Sequence, residues 1–449
     1  MSGDGGGGGR REMGSLAVHI LTGRWFIFFG CLLLMSAAGG TYIFGIFSEE
    51  IKTSLGYDQK TLNLVSFFKE IGANVGIIAG LINEVAPTWL VLLVGAAMNF
   101  SGYFFIWLAV TARIAHPKVR WICLSICMGA NSQTFVHTGA LVTLVNNFPE
   151  SRGIVIGLLK GYVGLSGAIM TQLYHALYGN DDKSLILLIA WLPAAVSCVF
   201  MGTIRTTKVV RQSNEVKVFY NLLFMSLGLA VALMAVIILQ NRIAFSRADY
   251  AATVSVIVVL VFSPLVVVVK EEMKLWRSKN THPFAVKTAE TKAAPPPPPQ
   301  LQVRSNHAWY KNVFTPPERG EDYTIPQAVL SIDMLVLFVV TMTGAGGTLT
   351  AMDNLGQIGK SLGYPDRVAG VLYDYEGLKQ MERKGIIRKA GEDLTCDGVE
   401  CFKVGFMIIA AATFGGCLLS LILVARTRKF YRGDIYKKFR EQARVEDEP

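Results

Sequence analysis

Runs of about 20 mostly apolar residues, each long enough for a helix to cross roughly 30 Å of hydrocarbon, recur ten times along this chain. They lie near 25–48, 62–82, 89–110, 121–144, 153–173, 185–204, 220–239, 251–269, 326–350 and 404–425. No chain built this way can hide all of that surface in a water-soluble core. The composition agrees, with 52% hydrophobic and only 17% charged residues over 449 positions, against roughly 25% charged in an average soluble protein. The fold class that follows is all-α, a multi-pass transmembrane helical bundle of about ten spans, and the first implied partner is the lipid bilayer.

The net charge of +10 does not mark a nucleic-acid binder, because the basic residues sit in short segments between apolar runs rather than in one patch. With ten spans both termini share one side. Placing them in the cytoplasm puts 25 Lys and Arg inside and 16 outside, with Lys69 and Lys160 within spans. Eight of the 16 fall in one long segment, 353–403, which the positive-inside rule counts weakly. The loop TARIAHPKVR runs against this orientation, since it places Arg113, Lys118 and Arg120 outside. Which membrane the chain occupies is not encoded in these signals.

The expected organisation is a flexible glycine-rich tail (1–22), a six-helix bundle (23–208), two additional spans (209–270), and a cytoplasmic linker containing AAPPPPPQLQ (271–324). There follow the first helix and loop of a second half (325–365), a polar non-cytoplasmic loop (366–403), a last span (404–426) and a basic cytoplasmic tail (427–449). The proline run favours polyproline II and cannot form a packed core.

Ionisable and amide groups inside spans are costly in lipid, so they face a cavity or a partner. The candidates to line a cavity are Lys69, Glu70, Asn131, Gln133, His137, Lys160 and Asp333. Lys69 and Glu70 point about 100° apart on a helix, so only one of them should face a lumen; the alternative is that both snorkel to the interface. For Lys160 the alternative is a structural ion pair, and for Asp333 a shallow position near the start of its helix. Asn131, Gln133 and His137 either bind solute or hydrogen-bond neighbouring helices.

Gly72, Gly76 and Gly80, and likewise Gly157 and Gly161, recur every four residues, a spacing that lets helices approach closely. Cys396 and Cys401, in LTCDGVEC, can close a small disulfide if that loop faces an oxidising compartment; two free thiols are the alternative. No zinc-type cysteine spacing, GxSxG elbow, GxxxxGK[ST] loop, HExxH pair or dinucleotide glycine fingerprint occurs. No metal, cofactor or catalytic residue is therefore expected, and the chain does not read as an enzyme.

The chain also echoes itself. Shifted by 307 positions without gaps, 35–57 matches 342–364 at ten of 23 positions, among them AGGT and SLGY. An offset that long signals two large halves on one plan, as in transporters built from parallel repeats around a site at the bilayer midplane.

Four stretches, GRWFIFFGCLLLMSAAGGTYIFGIFSEEIKTSLGYDQ, NNFPESRGIVIGLLKGYVGLSGAI, SIDMLVLFVVTMTGAGGTLTAMDNLGQIGKSLGYP and VAGVLYDYEGLKQMERKGIIRKAGEDLTCDGVECFK, closely resemble plant nodulin-like proteins of the major facilitator superfamily. That resemblance implies a major-facilitator bundle and transport of a small solute that it does not name. It also implies an incomplete second half. In the family SLGYP leads into further spans, whereas here Pro365 is followed at once by DRVAGVLYD. About four spans are expected to be absent, with a seam near 365–368, as in a splice form or an imperfect gene prediction. A shortened product would transport weakly or not at all by itself, and its alternative role is to scaffold or regulate by pairing with a full-length relative.

Overall fold

The computed structural model of the chain describes residues 6–432 apart from 180, 208–211, 213, 241, 244, 282–324 and 354–399. Every regular element among these is a helix: α1 Gly6–Thr22, α2 Arg24–Ala37, α3 Phe44–Ser54, α4 Gln59–Asn74, α5 Ile77–Val85, α6 Thr88–Val110, α7 Val119–Asn147, α8 Arg152–Tyr178, α9 Asp182–Phe200, α10 Glu215–Gln240, α11 Arg247–Phe262, α12 Pro264–Thr281, α13 Ile325–Val329, α14 Ile332–Asp353 and α15 Glu400–Arg432. All ten apolar runs fall on helices. Eight are long and apolar enough to cross a membrane by themselves. The other two are α7, diluted by amides and hydroxyls, and α14, which is apolar over Ile332–Gly344 and continues as helix to Asp353.

Two compact units divide the chain, Met1–Asn280 and Thr281–Pro449. In the first, the two spans after the six-helix bundle pack on α8 and are pinned to it at both ends. At one end the Ser151 hydroxyl donates to Glu215 (2.7 Å). At the other, Gln172 and Gln240 exchange two amide hydrogen bonds of 2.9 and 2.7 Å, and the His175 ring stacks on Tyr250. Since 151 and 215 begin their helices and 172 and 240 lie near the ends, α8 and α10 run parallel.

The end shared by the starts of α2, α8 and α10 is a buried charged clasp. Arg24, 5% exposed, pairs with Glu215 at 3.1 Å, donates to the Gln212 side-chain oxygen at 2.8 Å and lies over the Phe148 ring. The Trp25 backbone N–H, freed because it opens a helix, donates to Glu272 of α12 at 3.0 Å. Beneath these groups Trp25, Phe28, Phe148 and Phe219 form a fully enclosed aromatic cluster with ring centres 5.0–6.4 Å apart. Gly23 admits this approach, because a Cβ there would collide with the Glu272 carboxylate.

Two differences from the sequence expectations stand out. The glycine-rich tail is helical from Gly6 to Thr22, since good helix formers follow Arg10 and His19 packs against Glu272 and Trp276. The first span is not one rod. AGGT interrupts it, α2 ending at Ala37 and a short 3-10 turn at Gly40–Ile43 leading into α3. The SLGYD that follows makes the turn into the next span, with Gly56 at φ 62° and the Asp58 carboxylate capping α4 through the Thr61 N–H. Hydrogen bonds from the Thr61 side chain and, second, from its backbone N–H hold the Asp58 carboxyl below the usual carboxylate range. The second copy of AGGT, by contrast, lies inside the continuous helix α14.

In the second unit α14 and α15 form an antiparallel pair. Asp333 meets Arg426 at 2.6 Å, and ten residues further along α14 Thr343 lies against Gly416. Of the linker expected at 271–324, residues 271–281 instead continue α12, and of the polar loop expected at 366–403, residues 400–403 open α15; the rest of both falls outside the described residues.

The clasp generates a prediction. Arg24→Ala strands Glu215 in an enclosed site and should destabilise the detergent-solubilised protein by about 3–5 kcal/mol, read as a lower thermal midpoint. Adding Glu215→Gln to Arg24→Met should restore most of the loss.

Candidate functional site

Two apolar cores fill the first unit, one around Trp25–Met35 and Leu144–Leu159, the other around Ile43–Leu55, Tyr103–Val110 and Leu185–Ala190. Between them lies a belt of amides and hydroxyls, and its cause is local. Two of the spans are broken at this level and a third carries a proline, and such faults leave carbonyls that lipid cannot hydrate.

α9 carries Pro193, which has no N–H to give the carbonyl of Ile189 four residues back. Asn99 of α6 supplies the missing donor, its amide reaching the Ile189 and Ala190 oxygens at 2.8 and 2.9 Å. Between α4 and α5 the chain leaves helical geometry at Val75 (φ −89°, ψ 80°), and Asn131 of α7 donates to the Gly72 and Val75 carbonyls at 2.9 and 2.7 Å. At the break in the first span, Thr41 donates to Gln133 at 3.0 Å. Ser132 completes the belt by donating to Asn99. A small polar cavity opens among Asn99, Ser132, Gln133, Pro193 and Ser197.

Of the residues expected to line a cavity, Asn131 and Gln133 therefore have donor and acceptor duties toward broken helices. Asn99 and Pro193 were not singled out by sequence. The signal for them was a single amide and a single proline in otherwise apolar spans, each conspicuous only once the other is known to be its partner.

Lys69 and Glu70 do not divide between a lumen and a helix flank, as the 100° offset suggested, nor does Lys69 snorkel. The Lys69 ammonium, 1% exposed, turns on its long stem to meet Glu70 at 2.7 Å and sits 4.8 Å from the centre of the Phe44 ring. Glu70 also accepts from Asn74 and lies near enough to Tyr42 for the two to interact electrostatically. Asp333 is in the first turn of α14, engaged by Arg426.

Lys160 and His137 differ from the others. Lys160 lies eight residues into α8, roughly 12 Å along its axis, on an exposed stripe with Gly153, Gly157, Gly161 and Gly164, beside all of which the described residues leave open space. No carboxylate among the described residues pairs with it, although an ion at this depth costs on the order of 2.5–3.5 kcal/mol. His137 of α7 lies within electrostatic reach of Lys160, and its Nε2 is enclosed without a hydrogen-bond partner among the described residues. Further along the same stripe Tyr42, at the break in the first span, rests on Gly167.

The other glycines behave differently. A Cβ at Gly72 would strike the Cys127 backbone carbonyl, so α4 and α7 touch there; Gly76 faces Thr134 at ordinary contact distance, and Gly80 faces open space. The Cys396–Cys401 pairing lies outside the described residues.

Asn131→Leu should leave the Gly72 and Val75 carbonyls unpaired, costing about 1–3 kcal/mol each. Asn131→Asp, which accepts but does not donate, should be no better. A thermal midpoint unchanged in both variants would contradict the assigned role.

A family model described as Nodulin-like matches residues 24–269. The Arabidopsis thaliana protein NUCLEAR FUSION DEFECTIVE 4 is 20% identical over 375 residues, which cover 78% of this chain and 61% of the relative. The chain thus spans less than two thirds of the length of the curated relative it matches. No solved structure matches. The matched segment takes in more than half of the chain, from Arg24 of the buried clasp through the two broken spans and the proline-bearing one to α12, and the chain belongs to the Nodulin-like family.

Proposed function

We propose that this multi-pass membrane protein is a transporter of major-facilitator type that moves a small solute by alternating access. The observation that carries the reading is the mid-depth belt: interrupted helices, closed by side chains from α6 and α7, beside a face that presents Tyr42, His137 and Lys160. Transporters place binding sites where helices are discontinuous near the midplane, and ionisable groups at membrane depth mark solute paths. The cytoplasmic placement of both termini rests on the charge distribution alone.

A second reading has its own support. The described residues leave open space beside the glycine stripe of α8, and the chain covers 61% of its relative; a second half shortened at a seam near 365–368, as the sequence suggests, would leave such a face without its partner. A chain of this kind would pair with a full-length relative as a scaffold or regulator, and its independent transport would be weak.

The two readings differ in a labelling experiment. In a cysteine-free background, Tyr42→Cys should react with a membrane-impermeant thiol reagent from either side of reconstituted vesicles, as the belt opens alternately. Reaction from one side only would contradict alternating access and leave the pairing role.

A further inference from the structure

We infer that the solute is a small carboxylate, held by the Lys160 ammonium with the His137 imidazole behind it. This rests on the transport reading above and specifies the chemistry of the same face.

Charge matching within the first unit supports it. The two lysines that lie within spans have opposite surroundings. Lys69 is enclosed and matched by Glu70 at 2.7 Å. Lys160 is exposed on its helix face and is matched by nothing among the described residues. The other buried cation, Arg24, is likewise satisfied by Glu215 and Gln212. The unit therefore neutralises its internal charges with care, with one exception, and that exception stands on the stripe that leads to the belt.

His137 supplies an independent observation. Its Nε2 is buried without a partner among the described residues, on the helix that closes the belt, within electrostatic reach of Lys160. An enclosed ring nitrogen facing no protein group is suited to a ligand oxygen or the water that carries one. Together the two groups present one mobile point charge and one fixed ring. That set fits a carboxylate. Its two oxygens can accept from the ammonium and from a ring N–H at once, and no carboxylate, such as a cationic solute would require, pairs with Lys160 among the described residues. The glycines flanking Lys160, with open space where a side chain would be, leave room for such an occupant.

The test uses the purified 449-residue chain in detergent, with sodium succinate titrated against the thermal midpoint at constant ionic strength. Inorganic phosphate, sucrose and choline serve as comparison probes. Succinate should raise the midpoint saturably. Lys160→Gln should raise the half-saturating concentration at least about tenfold, Lys160→Arg should change it much less, and His137→Gln should fall between. If Lys160→Gln does not fold, the Arg and His137 variants carry the comparison. Equal succinate response in Lys160→Gln, or in both remaining variants when that one does not fold, would overturn the inference. So would a stronger saturable shift from phosphate, sucrose or choline. Uptake into vesicles separates the two proposals. Succinate binding without succinate uptake leaves the carboxylate site standing and removes the transport reading, while uptake of a neutral solute unaffected by Lys160→Gln does the reverse.

Discussion

A carbonyl oxygen released inside a membrane has no water to turn to, and leaving it bare costs several kcal/mol. That constraint organises the first unit. The carbonyls freed by Pro193 and by the break at Val75 are met by Asn99 of α6 and Asn131 of α7, and at the AGGT turn the Thr41 hydroxyl donates to the Gln133 side chain of α7. Because the interruptions share one depth, the groups that answer them also gather at one depth. A polar belt between two apolar cores is the consequence, and it gathers hydrogen-bonding groups within the spans.

The rest of the unit holds that belt in register. The Arg24–Glu215 clasp and the Trp25 N–H bonded to Glu272 tie the first span to α10 and α12, and the Gln172–Gln240 pair ties the far end. Removing one member of a buried pair is far more damaging than replacing both, so the clasp contributes definition as well as stability. Apolar packing alone gives little orientation in lipid, where neighbouring helices and acyl chains are equally apolar.

The existence and order of the helices were legible in the apolar runs, because length and hydropathy are local properties. Even the polar α7 could be read, since its amides are spaced among enough apolar residues. The breaks were harder. AGGT is the same string in both copies, yet it interrupts the first span and continues as helix in α14. In the first copy Gly39 and Gly40 are pressed against Ser166, Gly167 and Ile189, contacts that no reading of the local string supplies. Lys69 misled for a similar reason, because Cα–Cβ directions fix where a stem begins but not where a long flexible side chain ends. Lys160 and His137 were legible as candidates by residue type alone. Their shared face, and the absence of a carboxylate partner for Lys160 among the described residues, depend on neighbours far away in sequence.

The most direct measurement of the central claim is a double-mutant cycle between Asn99 and Pro193, read as thermal or denaturant stability of the reconstituted protein. Restoring the backbone donor with Pro193→Ala returns to the Ile189 carbonyl its own helical partner, so Asn99→Leu should then cost less than it does beside proline. The account predicts a coupling of about 1–2 kcal/mol. Additive effects of the two substitutions would contradict it.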